Sequence, residues 1–133
     1  MNKVITALVF GFLLILSIGA VSAAQIIVVG KIYVNSYSTP ASGALVYVDC
    51  GSAPRKSVTA QTDGSYGIVF DSVSDLGCNA TSSLKVGASG AGTGSTDSLN
   101  LSGVPGEGEI FYVVANILLG GGNSQVIAAT RSG

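Results

Sequence analysis

Two short runs of alternating apolar residues, joined through an Asp-Gly turn, constrain the fold of this chain more than any other feature. Apolar side chains recur at every second position in residues 44–50, and the pattern returns in residues 66–70, soon after Asp63-Gly64. A period of two is typical of a strand with one buried face, and Asp-Gly favours a tight turn because glycine readily adopts positive φ. The segment predicts an all-β protein. The residues that we predict to face inward are Ala44, Val46, Val48, Cys50, Tyr66, Ile68 and Phe70.

Other runs extend this prediction to seven strands. The seven predicted strands, including the two above, cover residues 25–34, 44–50, 56–61, 65–70, 83–88, 97–101 and 110–119, with residues 126–130 as a candidate last strand. We expect residues 56–61 and 65–70 to pair as a hairpin through the Asp-Gly turn. Residues 110–119 are apolar at both parities, which is typical of a central strand, and a buried helix is the alternative. The glycine-rich residues 87–96 predict a flexible loop or a poorly pinned sheet edge.

The first residues have the layout of a secretory signal peptide. Lys3 precedes an apolar stretch over residues 4–18, and the small residues Ser22, Ala23 and Ala24 follow. We predict a signal peptide helix over residues 1–23, cleaved after Ala23 or Ala24. The alternative is an uncleaved membrane anchor, although the apolar stretch is shorter than the ~20 residues that a spanning helix needs. We therefore expect a secreted, extracellular or cell-surface protein that contacts the membrane only through this segment, if it is retained.

The rest of the chain has the size of one domain. Residues 24–133 number about 110, which suits a single β-sandwich. The chain has two cysteines, Cys50 and Cys78, and in an exported protein we expect them to form a disulfide. A metal or redox site is the alternative, but the two cysteines are far apart in sequence and the chain has no histidine to complete a zinc site.

Composition argues against an enzyme and against nucleic-acid binding. Without histidine the chain cannot build a Ser-His-Asp triad or a Cys-His pair. Charged residues make up 10% of the chain and the net charge is −1, so we expect no basic surface for phosphates. Ser82 and Lys85 fit Ser-x-x-Lys, but that motif needs a helical turn and this stretch reads as a strand. We predict no catalytic residues and no cofactor.

The carboxylates do not form a recognisable catalytic or metal site. Glu107 and Glu109 flank a glycine in a turn, where nothing nearby would separate their pKa values as glycoside hydrolysis requires. Asp63, Asp71 and Asp75 could supply calcium ligands, but their spacing matches no calcium loop, and we interpret them as turn residues. We predict no metal site.

Two asparagines are acceptors for glycosylation by sequence. Asn79 begins Asn-Ala-Thr and Asn100 begins Asn-Leu-Ser, and in an exported chain we expect both to lie on the surface. The alternative is that both matches are incidental in a chain rich in serine and threonine.

Several motifs together resemble a known family. A first strand is followed by Pro40, by Gly-Ala at residues 43–44 leading into Val-Tyr-Val, and by Thr-Asp-Gly-Ser-Tyr at residues 62–66. This order resembles the carboxypeptidase-regulatory-like and transthyretin-like domains, which are small seven-stranded β-sandwiches of immunoglobulin-like form, and Cna B-type domains are similar. The resemblance covers residues 26–86.

The resemblance implies a fold and a class of function. It places Ala44 at the start of the second strand, Gly64 in a turn between two strands, and Tyr66 in the core. It also implies a non-catalytic structural or accessory module on a secreted or cell-surface protein, and some such modules bind carbohydrate or protein. Cna B-type domains often carry a Lys-Asn isopeptide bond, for which Lys31 and Asn116 are the positional candidates. Parity argues against that bond, because Lys31 lies opposite the apolar Ile32.

These observations lead to two hypotheses. The first is a structural or adhesive surface component that self-associates, with the apolar residues 26–29 or 126–129 inserting as a loose strand into the sheet edge of a neighbour. The second is an extracellular module that binds carbohydrate or protein through exposed Tyr33, Tyr37 and Tyr47.

Overall fold

The computed structural model describes residues 24–120 and 125–132, and among these it describes the side chains of residues 24–120 and 128–132. The predicted signal peptide lies outside the described residues. The described chain forms two β-sheets that face each other as a sandwich, so the predicted all-β class is confirmed. Within the described part of the chain we find no membrane-spanning helix.

The described residues form nine strands instead of the seven that we predicted. One sheet has the order β4-β1-β8-β9, and we call it the first sheet. The second sheet has the order β3-β2-β5-β6, with the short β7 also paired to β5. A 3-10 turn, Leu101–Gly103, follows β7. The strands are β1 Gln25–Val34, β2 Leu45–Cys50, β3 Lys56–Thr59, β4 Ser65–Asp71, β5 Ser83–Gly90, β6 Gly92–Ser95, β7 Leu99–Asn100, β8 Ile110–Leu119 and β9 Gln125–Ser132.

The core lies between the two sheets and follows the alternation that the sequence predicts. In β2 the even-numbered residues are buried, and the odd-numbered Leu45 is 48% exposed on the opposite face. All seven residues that we expected to face inward are buried. The largest buried side chains come from both sheets, so each sheet covers the apolar face of the other. They include Ile26, Ile32, Phe70, Phe111 and Ile117 from the first sheet and Leu84 from the second.

The hairpin that we expected between residues 56–61 and 65–70 is wrong. The turn itself is present, with Gly64 at φ 83° and the Gln61 N–H donating to the Ser65 carbonyl. However, β3 pairs with β2 in the second sheet, whereas β4 pairs with β1 in the first. The turn is therefore a corner between the sheets. Alternation identifies the residues that face inward, but it carries no information about which strand supplies the backbone partners.

The glycine-rich segment is an ordered edge of the second sheet. Residues 92–95 form β6, which pairs antiparallel with the end of β5. At this edge the two sheets meet, because the Gly120 N–H donates to the Thr93 carbonyl. A Cβ on Gly94 would lie 2.6 Å from the Leu118 carbonyl oxygen, so the close approach of the two backbones requires glycine.

The strand that we predicted at residues 97–101 is shorter than expected. Only Leu99–Asn100 forms β7, because the Asn100 side chain accepts a hydrogen bond from the Ser102 N–H and starts a turn. The prediction of a central strand at residues 110–119 is confirmed, since β8 lies between β1 and β9.

Candidate functional site

The disulfide that we predicted is present. Cys50 at the end of β2 is bonded to Cys78, which lies in the connection that leaves β4, and both residues are fully buried. The bond links the second sheet to a segment that comes directly from the first. A disulfide of this kind is typical of proteins that fold in an oxidising compartment.

The three tyrosines that we proposed as exposed ligand contacts lie at two separate places. Tyr33 and Tyr37 are adjacent, with ring centroids 5.4 Å apart, and Tyr37 is 49% exposed. Tyr47 lies on the outward face of the second sheet, and its ring packs over Gly87. A Cβ added to Gly87 would lie 2.1 Å from the Tyr47 ring. The Arg55 guanidinium lies 4.1 Å from the Tyr47 centroid. The structure therefore leaves a pair of tyrosines at one place and a packed tyrosine at another.

Arg55 also forms an ion pair beside Tyr47. Its Nε and Nη2 donate to the two carboxylate oxygens of Asp49 at 2.8 and 2.9 Å. This hydrogen bonding raises the pKa of Arg55, because it stabilises the charged guanidinium. Both side chains are exposed, so the pair orders the surface of the sheet and contributes little stability.

Both candidate glycosylation sites are exposed and have the same local geometry. The Asn79 Oδ1 accepts hydrogen bonds from the N–H and the hydroxyl of Thr81. The Asn100 Oδ1 accepts the same two hydrogen bonds from Ser102. The predicted surface position is therefore found at both sites, and glycosylation itself stays a prediction.

The aspartates hold turns rather than meeting at a common point. The Asp75 Oδ2 accepts hydrogen bonds from the Asp71 N–H and from the Lys56 Nζ, and these lower the pKa of Asp75. Two hydrogen bonds from Ser65 likewise lower the pKa of Asp63. In residues 24–120 and 125–132 no three His, Cys, Asp or Glu side chains are placed to hold a metal ion.

The remaining motifs lie at separate places in the fold. Glu107 and Glu109 are exposed in the connection before β8. The Ser82 hydroxyl donates to the Gly77 carbonyl and accepts from the Asn79 N–H, and Ser82 and Lys85 are not on a helix. Lys31 meets Asn116 only through its backbone N–H.

The position of β1 is the feature that the sequence did not reveal. We expected residues 26–29 to be a loose flanking strand, which is wrong, because β1 is paired on both sides. It runs antiparallel to β4 and parallel to β8. Its residues Ile26, Val28 and Ile32 are fully buried on the face that packs against the second sheet. We call the position between β4 and β8 the strand slot.

The ladder between β1 and β8 is interrupted inside the strand slot. Pairing runs from Gln25↔Ile110 to Val29↔Val114 and resumes at Ile32↔Ile117. At the interruption the Tyr66 hydroxyl of β4 donates to the Ala115 carbonyl of β8 at 2.7 Å. The Lys31 N–H donates to the Asn116 Oδ1 at 2.9 Å. Side chains from the slot walls thus replace the missing backbone hydrogen bonds.

The outward face of the first sheet carries partly exposed apolar side chains around the strand slot. Val29, Val69 and Tyr112 are 39%, 43% and 44% exposed. The register places Ile27 directly between Val69 and Tyr112. Contiguous apolar surface of this kind is typical of regions that contact other molecules.

Comparison with known proteins gives a structural likeness. No protein-family model matches the chain, and no curated protein matches it. The structure is similar to the dioxygenase domain of a dioxygenase and carbohydrate-binding protein fusion from the cellulolytic bacterium Streptomyces sp. SirexAA-E. The likeness covers 72% of this chain and 79% of that chain, at 18% identity and a TM-score of 0.46. At this TM-score it carries no argument about activity.

Proposed function

We propose that this protein is a secreted or cell-surface, non-enzymatic structural component whose copies assemble by exchanging β1. The position of β1 carries this proposal. A strand close to the predicted cleavage site fills a slot between two strands of the same chain, and β1 of a second copy could fill the same slot. Exchange of an identical element between copies is a low-cost route to assemblies.

The predicted processing agrees with this mechanism. Cleavage after Ala23 or Ala24 would leave β1, which starts at Gln25, complete and with a free end. A strand with a free end can enter the slot of a neighbour without threading a loop. The apolar outward face around the slot also favours a protein that contacts other molecules.

We also propose that the domain is an immunoglobulin-like sandwich related to the carboxypeptidase-regulatory-like and transthyretin-like group. Three positions that carry the resemblance support this assignment. Ala44 directly precedes β2, Gly64 occupies the turn between β3 and β4, and the Tyr66 ring is buried in the core. Such modules are mostly structural, which agrees with the proposed role.

Cross-linking between chains tests the exchange. Val29 of β1 and Val114 of β8 are register partners on the outward face. We would mix a Val29→Cys chain with a Val114→Cys chain, oxidise the mixture, and examine it on a non-reducing gel. We expect a cross-linked heterodimer, because β1 of the first chain pairs with β8 of the second. Deleting β1 is a poorer test, since it also removes core residues.

A second pair of cysteine variants distinguishes exchange of β1 from simple contact between the outward faces of two chains. Thr130 is exposed on β9, which is not adjacent to β1 in the sheet. Chains with Val29→Cys and Thr130→Cys should give no heterodimer if exchange places β1 in its native register. A single chain with both Val29→Cys and Val114→Cys reports whether the two positions can form a disulfide within one chain. If that chain forms the disulfide but the first mixture gives no heterodimer, β1 remains in its own chain and the proposal fails.

A second candidate function is binding of carbohydrate or protein at Tyr33 and Tyr37. Their adjacent rings and the exposure of Tyr37 favour it. A glycan array would compare the parent with Tyr33→Ala/Tyr37→Ala, using Tyr47→Ala as the control. Binding that disappears only in the double variant would favour this function, and a blank array for the parent would count against carbohydrate as the ligand.

A further inference from the structure

We infer that the strand slot selects its strand through a glycine, so that the partner it accepts is β1 of a second copy of this chain, held in one register. This inference rests on the proposed exchange and specifies its partner. The walls of the slot, β4 and β8, make the selection, and Gly30 is the residue they recognise.

The space at Gly30 admits no side chain. A Cβ at this position would lie 2.0 Å from the Ala115 carbonyl oxygen and 3.1 Å from the Asn116 Oδ1. The first of these atoms belongs to the backbone of a central strand, which cannot move aside as the end of a flexible side chain could. An incoming strand must therefore have glycine here.

The requirement for glycine comes from residues of the slot walls, β4 and β8. The Tyr66 hydroxyl reaches from β4 to the Ala115 carbonyl of β8, and it does so where β1 has no side chain. Asn116 of β8 offers its Oδ1 to the next backbone N–H of the inserted strand. The first contact joins the two walls to each other, and the second uses only a backbone N–H of β1, so any strand of suitable sequence would fit between them.

The neighbouring positions complete the pattern that the slot requires. Ile26 and Val28 precede the glycine at alternate positions, Ile32 follows it, and all three are fully buried. A slip of one residue would turn these side chains outward. A slip of two residues would place Val28 or Ile32 against the Ala115 carbonyl.

The chain contains this pattern once. If Ile, Val, Leu, Met or Phe is required two and four residues before a glycine and two residues after it, residues 26–32 are the single match in the sequence. Among the segments of this chain, β1 is therefore the one that fits the slot, which is why we assign the partner as a second copy.

Capture of a peptide tests the inference without altering the fold of the protein. The peptide covers residues 24–34 with Val29→Cys, and the acceptor is the full chain with Val114→Cys. We expect oxidation to link them, and we expect at least tenfold less linked product when the peptide also carries Gly30→Ala. Alanine is the better strand former, so a fall in capture cannot come from backbone propensity. A peptide with Gln25→Ala, at an exposed position, should be captured like the parent.

The outcomes distinguish this inference from the exchange itself. If the Gly30→Ala peptide is captured as well as the parent, glycine does not select the strand and the inference fails, while exchange stands. If no peptide is captured but whole chains form the Val29–Val114 heterodimer, the strand sequence alone is not the determinant and the inference also fails. If whole chains do not cross-link either, the proposed exchange fails, and the inference fails with it.

Discussion

Tyr66 shows how one side chain can join three strands. It is a residue of β4, its ring is buried in the core, and its hydroxyl donates to β8 past the glycine of β1. Burial raises the pKa of the Tyr66 phenol well above its ordinary value. The cause is desolvation, which penalises the charged phenolate.

This shift predicts a loss of stability in alkali. Above about pH 10 the phenol ionises in the unfolded chain but stays protonated in the native protein. The unfolded state then holds fewer protons, so the free energy of unfolding falls as pH rises, by about 1.4 kcal/mol per pH unit from this group. Urea unfolding between pH 9 and 12 measures the slope.

The variant Tyr66→Phe isolates this contribution. At pH 7 we expect it to lower the free energy of unfolding by about 1 kcal/mol, because the hydrogen bond to Ala115 is lost. Above pH 10 its slope should be shallower than that of the parent. Tyr112→Phe, which removes a hydroxyl from an exposed ring of the same sheet, is the control. If the free energy of unfolding of Tyr66→Phe falls above pH 10 as steeply as that of the parent, the loss of stability in alkali does not come from the Tyr66 phenol.

The hairpin of β5 and β6 shows how a strand with almost no side chains is held in place. β6 contains two glycines and cannot bury an apolar face. Thr96, directly after it, is 2% exposed and anchors its end. The Thr96 N–H donates to the Val86 carbonyl, and the Thr96 Oγ1 accepts from the Val86 N–H.

Thr96→Val tests this anchor. Valine has nearly the same shape, but it leaves the buried Val86 N–H without an acceptor, which costs about 2 kcal/mol. We expect the free energy of unfolding to fall by that amount, and we expect faster amide exchange at Val86. Thr93→Val, at an exposed position of the same hairpin, should change neither quantity by much. A Thr96→Val protein as stable as the parent would show that the anchor is dispensable.

The molecule as a whole depends on links between its two sheets. The corner at Gly64, the close approach of β6 to the end of β8, and the buried disulfide each connect them at a different place. Lys56 adds a further link, since its Nζ donates to the Val69 carbonyl from the opposite sheet. A domain of about 110 residues has a small core, so such links matter for its stability.

Removing the disulfide should destabilise the protein without changing its fold. The two cysteines are separated by 28 positions. Closing a loop of this length stabilises the folded state by about 3.5 kcal/mol in the chain-entropy model. We expect Cys50→Ala/Cys78→Ala to lose about this amount in urea unfolding and to keep a β-type circular dichroism spectrum. Reduced parent protein is the control and should show a similar loss. A loss below about 1 kcal/mol would mean that the bond is incidental to stability.

Much of the strand pattern was predictable because alternation is a local property. Residues 25–34 coincide with β1, and residues 83–88 lie within β5, with Leu84 and Val86 buried as expected. The disulfide was predictable because the chain has only two cysteines. The separation of Tyr33 from Tyr47 was not predictable, because the strands that carry them, β1 and β2, belong to different sheets.

The strand slot could not be found from sequence. In the sequence Gly30 is an ordinary glycine within a strand, and Asn116, its neighbour in space, lies 86 positions away. Its importance depends on the parallel pairing of β1 with β8, for which no local pattern exists. The interrupted β1–β8 ladder and the hydrogen bond of the buried Tyr66 hydroxyl exist only when β4 and β8 are both in place beside β1.

By itself, the sequence determined most of the long strands, which of their residues face inward, where the Asp-Gly turn lies and which cysteines pair. These properties depend on side-chain chemistry and on the conformational preferences of neighbouring residues, which are written locally. The tertiary structure alone decided which strands are adjacent, that the Asp-Gly turn joins two sheets, and that β1 fills a slot between β4 and β8. Strand pairing is made by backbone groups that are the same in almost every residue, so the choice of partner is fixed only when the two apolar faces close on each other.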